Sequence, residues 1–273
     1  MSFVKKFLLG VLAALVILGV IWGIREAKDL SENRQVPAAT PTLVGFKPLK
    51  FAVMSDIHLD KENFIRALKK AKADGAEFVI ITGDLTSLGK KDELISMKAV
   101  LDQENLSYYA IPGNHDLWAD NFKSTYFQQV FGPDYQSFKK DSLKFILIDN
   151  GSYFGLGEKQ RAWLEEEVKE CPRITCLVFA HMPFNHPTSL HIMGEGNKAG
   201  SQESKEIVKL LTTNGVEEVF AGHLHYHSVY ELDGLKTTVV GAITSNRNLQ
   251  LPNFLEIEVE GKNLLANEIF VAD

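Results

Sequence analysis

The chain has 273 residues, of which 45% are hydrophobic and 23% are charged, which is typical of one substantial globular domain or at most two small ones. Its formal net charge is −6, and no run of lysines and arginines follows the N-terminal segment, so we do not expect nucleic acid to be its main partner. An anionic substrate would need a local positive charge, which a bound metal ion would supply.

The N-terminal segment predicts a membrane anchor over residues 1–25. Residues 7–24 are uncharged and apolar, and a helix of that length spans about 27 Å, close to the ~30 Å hydrocarbon core of a bilayer. A cleaved signal peptide is the alternative, but the run is longer than usual for one and no Ala-x-Ala-like site follows. Lysines before the run weakly favour an internal N-terminus. We therefore expect a single-pass protein of the cell membrane whose folded domain lies outside the cytoplasmic membrane.

Residues 26–48 predict a polar, extended linker, because prolines and small residues are frequent near its end. The folded domain is then expected over residues 49–273. Within it, Cys171 and Cys176 lie five residues apart. They could form a disulfide in an extracytoplasmic domain, but Cys176 also begins an apolar run in which a buried free thiol is ordinary.

From residue 50 onward, short apolar runs alternate with segments of helical periodicity. The predicted strands are 50–54, 78–82, 107–111, 144–148, 176–180 and 218–221. The predicted helices are 61–73, 90–104, 158–170 and 202–213. The C-terminal segments "KTTVVGAI", "FLEIEVE" and "NLLANEIFV" also predict strands, with "EGKN" as a hairpin turn. We therefore expect an α/β fold with helices packed outside a sheet core and some mixed strand pairing.

Polar side chains with metal-binding or acid–base chemistry follow five of these strands. In chain order they are Asp56 and His58, then Asp84, then Asn114, His115 and Asp116, then His181, and finally His223 and His225. Each group alone has an ordinary explanation, such as a capped turn or a buried core histidine. Ligands of open α/β sheets bind beyond the carboxyl ends of the strands. Because five strand ends hold five of the eight histidines, we expect the groups to converge on one site.

The order Asp-x-His, Gly-Asp, Gly-Asn-His-Asp, His, Gly-His-x-His resembles the signature of the calcineurin-like metallophosphoesterases over roughly residues 50–245. By motif it is most similar to bacterial phosphodiesterase-like branches, including membrane-anchored forms. The resemblance implies a four-layer α/β/β/α sandwich with two mixed sheets. It also implies two divalent or trivalent metal ions, with a bridging hydroxide that attacks phosphorus. The mixed oxygen and nitrogen ligands suit Mn, Fe, Zn, Co or Ni.

The resemblance also assigns the metal ligands. One metal ion would be held by Asp56, His58, Asp84 and His225. The other would be held by Asp84, Asn114, His181 and His223, so that Asp84 bridges the two. This agrees with the chemistry, because a bridging carboxylate holds two cations about 3.5–4 Å apart, close enough to bind one phosphoryl group.

The catalytic assignments follow the same resemblance. His115 is expected to face the leaving-group oxygen and, with Asn114, to contact the substrate. Asp116 is expected to hydrogen-bond His115 and to fix its orientation. His227 lies beyond the pattern, and we expect it to have a supporting or surface role.

Two loops near these motifs are open to interpretation. His186 and His191 lie directly after His181, in a Gly- and Pro-containing segment that is either a lid over the substrate or a solvated insertion. The loop 244–253 raises the same question, and its Arg247 is a candidate phosphate contact.

The sequence therefore predicts a metal-dependent phosphodiesterase. The motifs do not separate it from a phosphomonoesterase or a pyrophosphate-cleaving hydrolase. A non-catalytic scaffold of the same fold is the third alternative, and such scaffolds are expected to lack ligands that are all present in this chain. The predicted anchor would hold the domain near lipid head groups or envelope precursors, which makes these candidate substrates.

Overall fold

The structure, a computed structural model, describes residues 48–261 and 263–272. The predicted anchor and all but the last residue of the predicted linker lie outside these residues. In the described part, no helix has the length and apolar character needed to cross a membrane. The described residues belong to one compact unit.

Eleven strands and six α-helices make up the described part of the chain. The strands are β1 (Leu49–Met54), β2 (Phe78–Ile81), β3 (Ser107–Ala110), β4 (Gln136–Lys140), β5 (Leu143–Leu147), β6 (Thr175–Ala180), β7 (Glu218–Ala221), β8 (Ser228–Leu232), β9 (Leu235–Val239), β10 (Asn253–Glu260) and β11 (Asn263–Phe270). The helices are α1 (Lys61–Ala73), α2 (Lys91–Glu104), α3 (Asn114–Leu117), α4 (Thr125–Phe131), α5 (Gly157–Glu167) and α6 (Lys198–Thr213).

The strands form two mixed sheets, as expected. The first has the order β11-β10-β1-β2-β3, in which β1, β2 and β3 are parallel and β10 and β11 are antiparallel to their neighbours. The second has the order β4-β5-β6-β7-β9-β8, with a parallel centre and an antiparallel strand at each edge. The parallel strands of each sheet end at the same edge, which is where the polar motifs follow.

Alternation along β1 shows why the domain has four layers. Phe51 and Val53 pack into an apolar cluster between the two sheets, while Ala52 and Met54 pack against the helices outside the first sheet. A third cluster covers the outer face of the second sheet with residues of α5 and α6. The α/β/β/α sandwich implied by the resemblance is therefore the observed architecture.

The predicted elements and the observed ones differ mainly at their ends. The helix predicted over 61–73 is α1, whereas the one predicted over 202–213 begins earlier, at Lys198. The segment "KTTVVGAI" leaves the sheet after Val239, and its Ala242 pairs instead with Ser55 beyond the end of β1. The sequence analysis did not predict the short helices α3 and α4 or the strands β4 and β8. These have weak apolar patterns because they lie at edges or in connections.

Cys171 and Cys176 form a disulfide, which decides between the two alternatives left open by the sequence. It joins the end of the turn after α5 to the start of β6. Both cysteines are buried in the apolar cluster on the outer face of the second sheet, and Cys176 lies at the opposite end of β6 from His181.

Candidate metal centre

The polar motifs converge because their strands end at one edge and their loops are hydrogen-bonded to each other. The amide of Asp56 donates to the carbonyl of Gly83 (3.1 Å), and the amide of Gly222 donates to the carbonyl of His181 (2.9 Å). The two sheets are joined at the same edge, where the amide of Thr244 donates to the carbonyl of Asp56 (3.0 Å). Side chains from both sheets therefore meet in one place.

Two groups of side chains have ligand atoms that all lie within 4.8 Å of one another. The first group, here called the outer set, consists of Asp56, His58, Asp84 and His225. The second group contains Asp84, His181 and His223. The amide oxygen of Asn114 lies 3.0 Å from His181 Nε2, and we call these four residues the inner set. The structure thus brings together the seven residues that the resemblance names as ligands, and their binding of metal stays a prediction.

A single carboxylate oxygen joins the two sets. Asp84 Oδ2 lies 3.5 Å from His58 Nε2 in the outer set and 3.4 Å from His181 Nε2 in the inner set. The other oxygen, Oδ1, accepts a hydrogen bond from the amide of His115 (2.8 Å). Asp84 is therefore the one residue placed to bind two cations at once.

When the His181 ring is neutral, the inner set has too few protons for its short contacts. His181 Nδ1 lies 2.8 Å from the carbonyl oxygen of Thr82, which can only accept, so Nδ1 carries the proton of the neutral ring. Its Nε2 lone pair then faces the amide oxygen of Asn114 and the carboxylate of Asp84, which are also acceptors. A cation between these atoms would satisfy them all.

Orphaned polar atoms support the same conclusion. Asp56 Oδ1, His223 Nε2 and His225 Nδ1 are buried without a hydrogen-bond partner. Asp56 Oδ1 lies 3.4 Å from His225 Nε2, and the ring nitrogens His58 Nε2 and His225 Nε2 are 3.1 Å apart. Buried polar groups are rarely left unpaired, and neutral imidazoles with carboxylates are typical ligands of transition metals. The residues present therefore fit a metal centre.

The charges of the site keep its carboxylates ionised. Burial raises the pKa of Asp84, but the neighbouring His181 outweighs this effect and holds that pKa below its usual value. Burial likewise disfavours a charged His181, yet the negative charge of Asp84 raises the pKa of His181 to about 9. When no cation is bound, a proton on His181 therefore partly compensates the carboxylates, and a cation must displace it.

The backbone of the site is strained. Asp56, Asp84, His223 and His225 have positive φ angles of 53°, 54°, 72° and 56°, and His58 has one of 48°. Non-glycine residues seldom adopt this conformation, and such outliers cluster at functional sites. The close packing also needs glycine at position 113, where a Cβ would lie 2.2 Å from Asp84 Oδ1.

His115 is oriented by a partner that the sequence analysis did not predict. Its Nδ1 donates to the carbonyl oxygen of Ser87 (2.9 Å), and its ring lies 3.8 Å from the ring of Trp118. Its edge-to-face contact with the ring of His58, 4.7 Å between centroids, places it beside the outer set. The remaining ring nitrogen, Nε2, is the one available to a substrate.

The predicted hydrogen bond from Asp116 to His115 is wrong. The Asp116 carboxylate accepts from the amides of Leu85 (3.1 Å), Thr86 (2.8 Å) and Gly113 (3.0 Å), and from the Thr86 hydroxyl (2.7 Å). Asp116 faces away because the chain turns into α3 directly after Gly113. It therefore holds the loop after β2 against the start of α3, and so it positions Asp84 and His115 through the backbone.

Asn150 is a site residue that the sequence analysis missed. Its side-chain oxygen accepts from the amides of His181 (2.8 Å) and Met182 (3.0 Å), and its amide group donates to the Met182 carbonyl (2.7 Å). It is fully buried and fixes the backbone of His181. The sequence does contain the same pattern here, because Asp149 and Asn150 follow the predicted strand 144–148 just as the other motifs follow their strands.

The remaining histidines lie around the two sets. His227 Nδ1 donates to the carbonyl of Val239 (2.9 Å), which is a supporting role. The ring of His191 stacks on the ring of His223 with 4.1 Å between centroids, whereas His186 bonds the hydroxyl of Tyr226 (3.2 Å). The exposed Arg247 lies in a loop whose Leu249 amide donates to the His225 carbonyl (3.2 Å), so its phosphate contact stays a prediction.

Comparison with known proteins adds independent evidence. A family profile described as calcineurin-like phosphoesterase matches residues 49–227. A protein named "Probable cyclic nucleotide phosphodiesterase" from Rhodococcus erythropolis is 26% identical over 234 residues, which cover 75% of this chain and 74% of that protein. A "Probable glycerophosphodiester phosphodiesterase" from Arcobacter nitrofigilis is 30% identical over 142 residues, or 47% of this chain and 49% of that protein.

The match to the Arcobacter protein thus spans about half of that relative's length. Among solved structures, a dimetal phosphatase from Danio rerio superimposes with a TM-score of 0.65 at 13% identity, covering 83% of this chain and 98% of that one. At this identity the likeness shows the fold alone. The family profile extends over more than half of the chain and includes every residue of both sets. The chain therefore belongs to the calcineurin-like phosphoesterase family.

Proposed function

We propose that the protein is a metal-dependent phosphodiesterase whose two metal ions are bound by the outer and inner sets. The observation that carries the proposal is the sharing of Asp84 Oδ2 between the two sets, at 3.5 Å from His58 and 3.4 Å from His181. Relatives named as phosphodiesterases favour a diester over the alternative substrates.

The metal ions would supply positive charge that attracts and polarises a phosphoryl group and makes water more acidic. Hydrolysis breaks one P–O bond, forms another to the oxygen of water, and passes a proton to the leaving alcohol. The products are a phosphomonoester and an alcohol. The protein's part is to hold the ligands in fixed positions and to deliver that proton.

His115 is suited to deliver the proton. Because Nδ1 donates to Ser87, the ring is fixed in orientation, and Nε2 can hold a proton toward the substrate. The His115 ring also contacts the rings of His58 and Trp118. We infer that His115 protonates the leaving oxygen, with Asn114 beside it as a metal ligand and substrate contact.

The proposed location is the outer side of the cell membrane, with the catalytic domain attached through the N-terminal segment. The disulfide between Cys171 and Cys176 supports it, since such bonds persist in oxidising compartments and are rare in the cytosol.

Hydrolysis of bis(p-nitrophenyl) phosphate by the full chain in detergent, with and without Mn²⁺, tests the proposed function. We expect metal-dependent cleavage that is lost in Asp84→Ala, and slower cleavage of the monoester p-nitrophenyl phosphate. Faster monoester cleavage would replace the proposal with a phosphomonoesterase. If the protein did not bind metal, the result would instead support a non-catalytic scaffold of the same fold.

The role of His115 is tested with His115→Asn and two leaving groups. We expect a ~10²- to 10⁴-fold loss of kcat for a diester with an alkyl leaving group, which needs a proton. The loss should be far smaller for p-nitrophenolate, which leaves without one. Equal losses for both substrates would contradict proton donation and assign His115 to substrate binding.

A further inference from the structure

Exposed apolar side chains are concentrated at the edge of the sheets that carries the candidate metal centre. Ten large hydrophobic residues of the described chain are notably exposed, and six of them lie in loops at the edge of the sheets that carries the centre. These six, here called the rim, are Leu88, Trp118, Phe154, Leu190, Leu249 and Leu251. Single exposed apolar residues are ordinary, but their concentration around one site is not.

Contacts or sequence neighbours place four of the six rim residues beside the site. The ring of Trp118 lies 3.8 Å from that of His115, measured between centroids, and the amide of Leu249 donates to the carbonyl of His225. Leu190 precedes His191, whose ring stacks on that of His223. Leu88 directly follows Ser87, the residue that orients His115. The rim therefore continues outward from both ligand sets.

Four of the six rim residues are mostly exposed: Leu190 is 84% exposed, Leu249 75%, Phe154 71% and Leu251 67%. Leaving such side chains in water is unfavourable, at roughly 25 cal/mol for each Å² of apolar surface. The other four exposed residues lie instead on α2, β8 and β11 and are not gathered at one site. They are Ile95, Val229, Leu265 and Phe270.

The charges of the two loops that carry Leu190, Leu249 and Leu251 fit a lipid surface. In the loop 244–253, which carries Leu249 and Leu251, the only charged residue is the basic Arg247. In the loop 182–197, which carries Leu190, the only carboxylate is Glu195, and it bonds His191. Apolar and aromatic side chains with sparse basic charge are typical of segments that lie in the membrane interface.

We propose that the rim contacts the acyl chains of lipids, and that the enzyme hydrolyses a phosphodiester carried by an amphiphile at a membrane surface. This inference rests on the proposed phosphodiesterase function and specifies its substrate class. The apolar run over residues 7–24 agrees with it, because an anchored domain works beside a bilayer. The rim would bind the apolar part of the substrate while the metal centre binds the phosphodiester.

The first experiment compares two substrates that share a phosphodiester and differ only in acyl chains. Phosphatidylglycerol in mixed micelles and the soluble glycerophosphoglycerol are offered to the full chain with Mn²⁺. We expect kcat/KM to be at least about 10-fold higher for the acylated substrate. The triple variant Leu190→Ser, Leu249→Ser, Leu251→Ser should lose that preference and still cleave bis(p-nitrophenyl) phosphate within 2-fold of wild type.

A matched control carries Ile95→Ser, Val229→Ser and Leu265→Ser, which remove exposed apolar side chains away from the rim. We expect it to keep the preference. Equal kcat/KM for the two substrates in wild type, or an unchanged preference in the rim variant, would overturn the inference. If wild type cleaved no diester at all, the proposed function would fail instead.

A second experiment tests whether the rim contacts lipid and does not depend on enzyme activity. The chain has three tryptophans, and the variant Trp22→Phe, Trp163→Phe leaves only Trp118 in the rim. In vesicles with brominated acyl chains, we expect quenching of Trp118 fluorescence. The matched variant Trp22→Phe, Trp118→Phe leaves only Trp163, which lies on α5 beside Tyr135 and should not be quenched. Equal fluorescence of the Trp118 variant with and without bromine would contradict lipid contact.

Discussion

The outer and inner sets use similar ligands but differ in their access to water. In the inner set His181 is fully buried, and His223 is 6% exposed. In the outer set the side chains of His58 and His225 are 11% and 14% exposed. The inner ligands also have more support, since Thr82 and Asn150 hold the ring and the backbone of His181. We therefore expect a tightly held inner metal ion and an exchangeable outer one.

Removing one imidazole from each set tests this difference in metal binding most strongly. His181→Ala should lower kcat/KM by about 10³-fold or more, because water cannot replace a ligand in a closed site. His58→Ala should cost less and should recover in millimolar Mn²⁺, since water reaches the outer set. Metal content of each variant after dialysis against EDTA gives an independent measurement. Recovery of His181→Ala but not of His58→Ala would reverse the assignment.

A substitution at Gly113 tests whether the two sets depend on each other through Asp84. Gly113→Ala would place a Cβ 2.2 Å from Asp84 Oδ1, so Asp84 must move and both sets must weaken together. We expect a loss of kcat/KM of about 10- to 100-fold and lower metal content. Gly132→Ala is the control, because no atom lies within 4 Å of its added Cβ although its φ is 92°. Loss of only one metal ion from Gly113→Ala would show that the sets are not joined through Asp84.

A separate effect, on stability rather than on activity, is expected near the inner set. Burial raises the pKa of Asp149 from 3.8 to about 7, against its hydrogen bond from Ser124. The folded chain therefore binds more protons than the unfolded one between pH 4 and 7, and stability falls as pH rises through that range. Asp149→Asn removes this penalty, which is at most on the order of 4 kcal/mol. We expect the Tm of the variant to exceed that of wild type at pH 8 but not at pH 4. An equal difference in Tm at the two pH values would contradict this prediction.

Much of the site could be predicted because strand ends are readable from the sequence. A buried parallel strand appears as a short apolar run, and the residues that follow it lie at a common edge. That argument placed Asp56, Asp84, Asn114, His181 and His223 together without any coordinates. It missed Asn150, since an amide that binds only backbone resembles any turn residue.

The orientation of His115 could not be predicted from the sequence. It depends on the path of the loop after β2, which brings the carbonyl of Ser87 to Nδ1. Asp116 is adjacent in sequence but faces the opposite side, since helical backbone begins at Asn114. The start of α6 was missed for a related reason: its cap is formed by Asn197, whose side chain accepts from the amide of Gly200.

The inner set takes Asp84 and Asn114 from the loops of the first sheet and His181 and His223 from the loops of the second. A cation bound there would join the two halves of the sandwich, so its binding free energy would also oppose their separation. The metal-free chain would unfold locally between the two sheets more often and would be cleaved by proteases faster. At a constant rate of synthesis, the abundance of the protein in the cell would then follow the supply of metal.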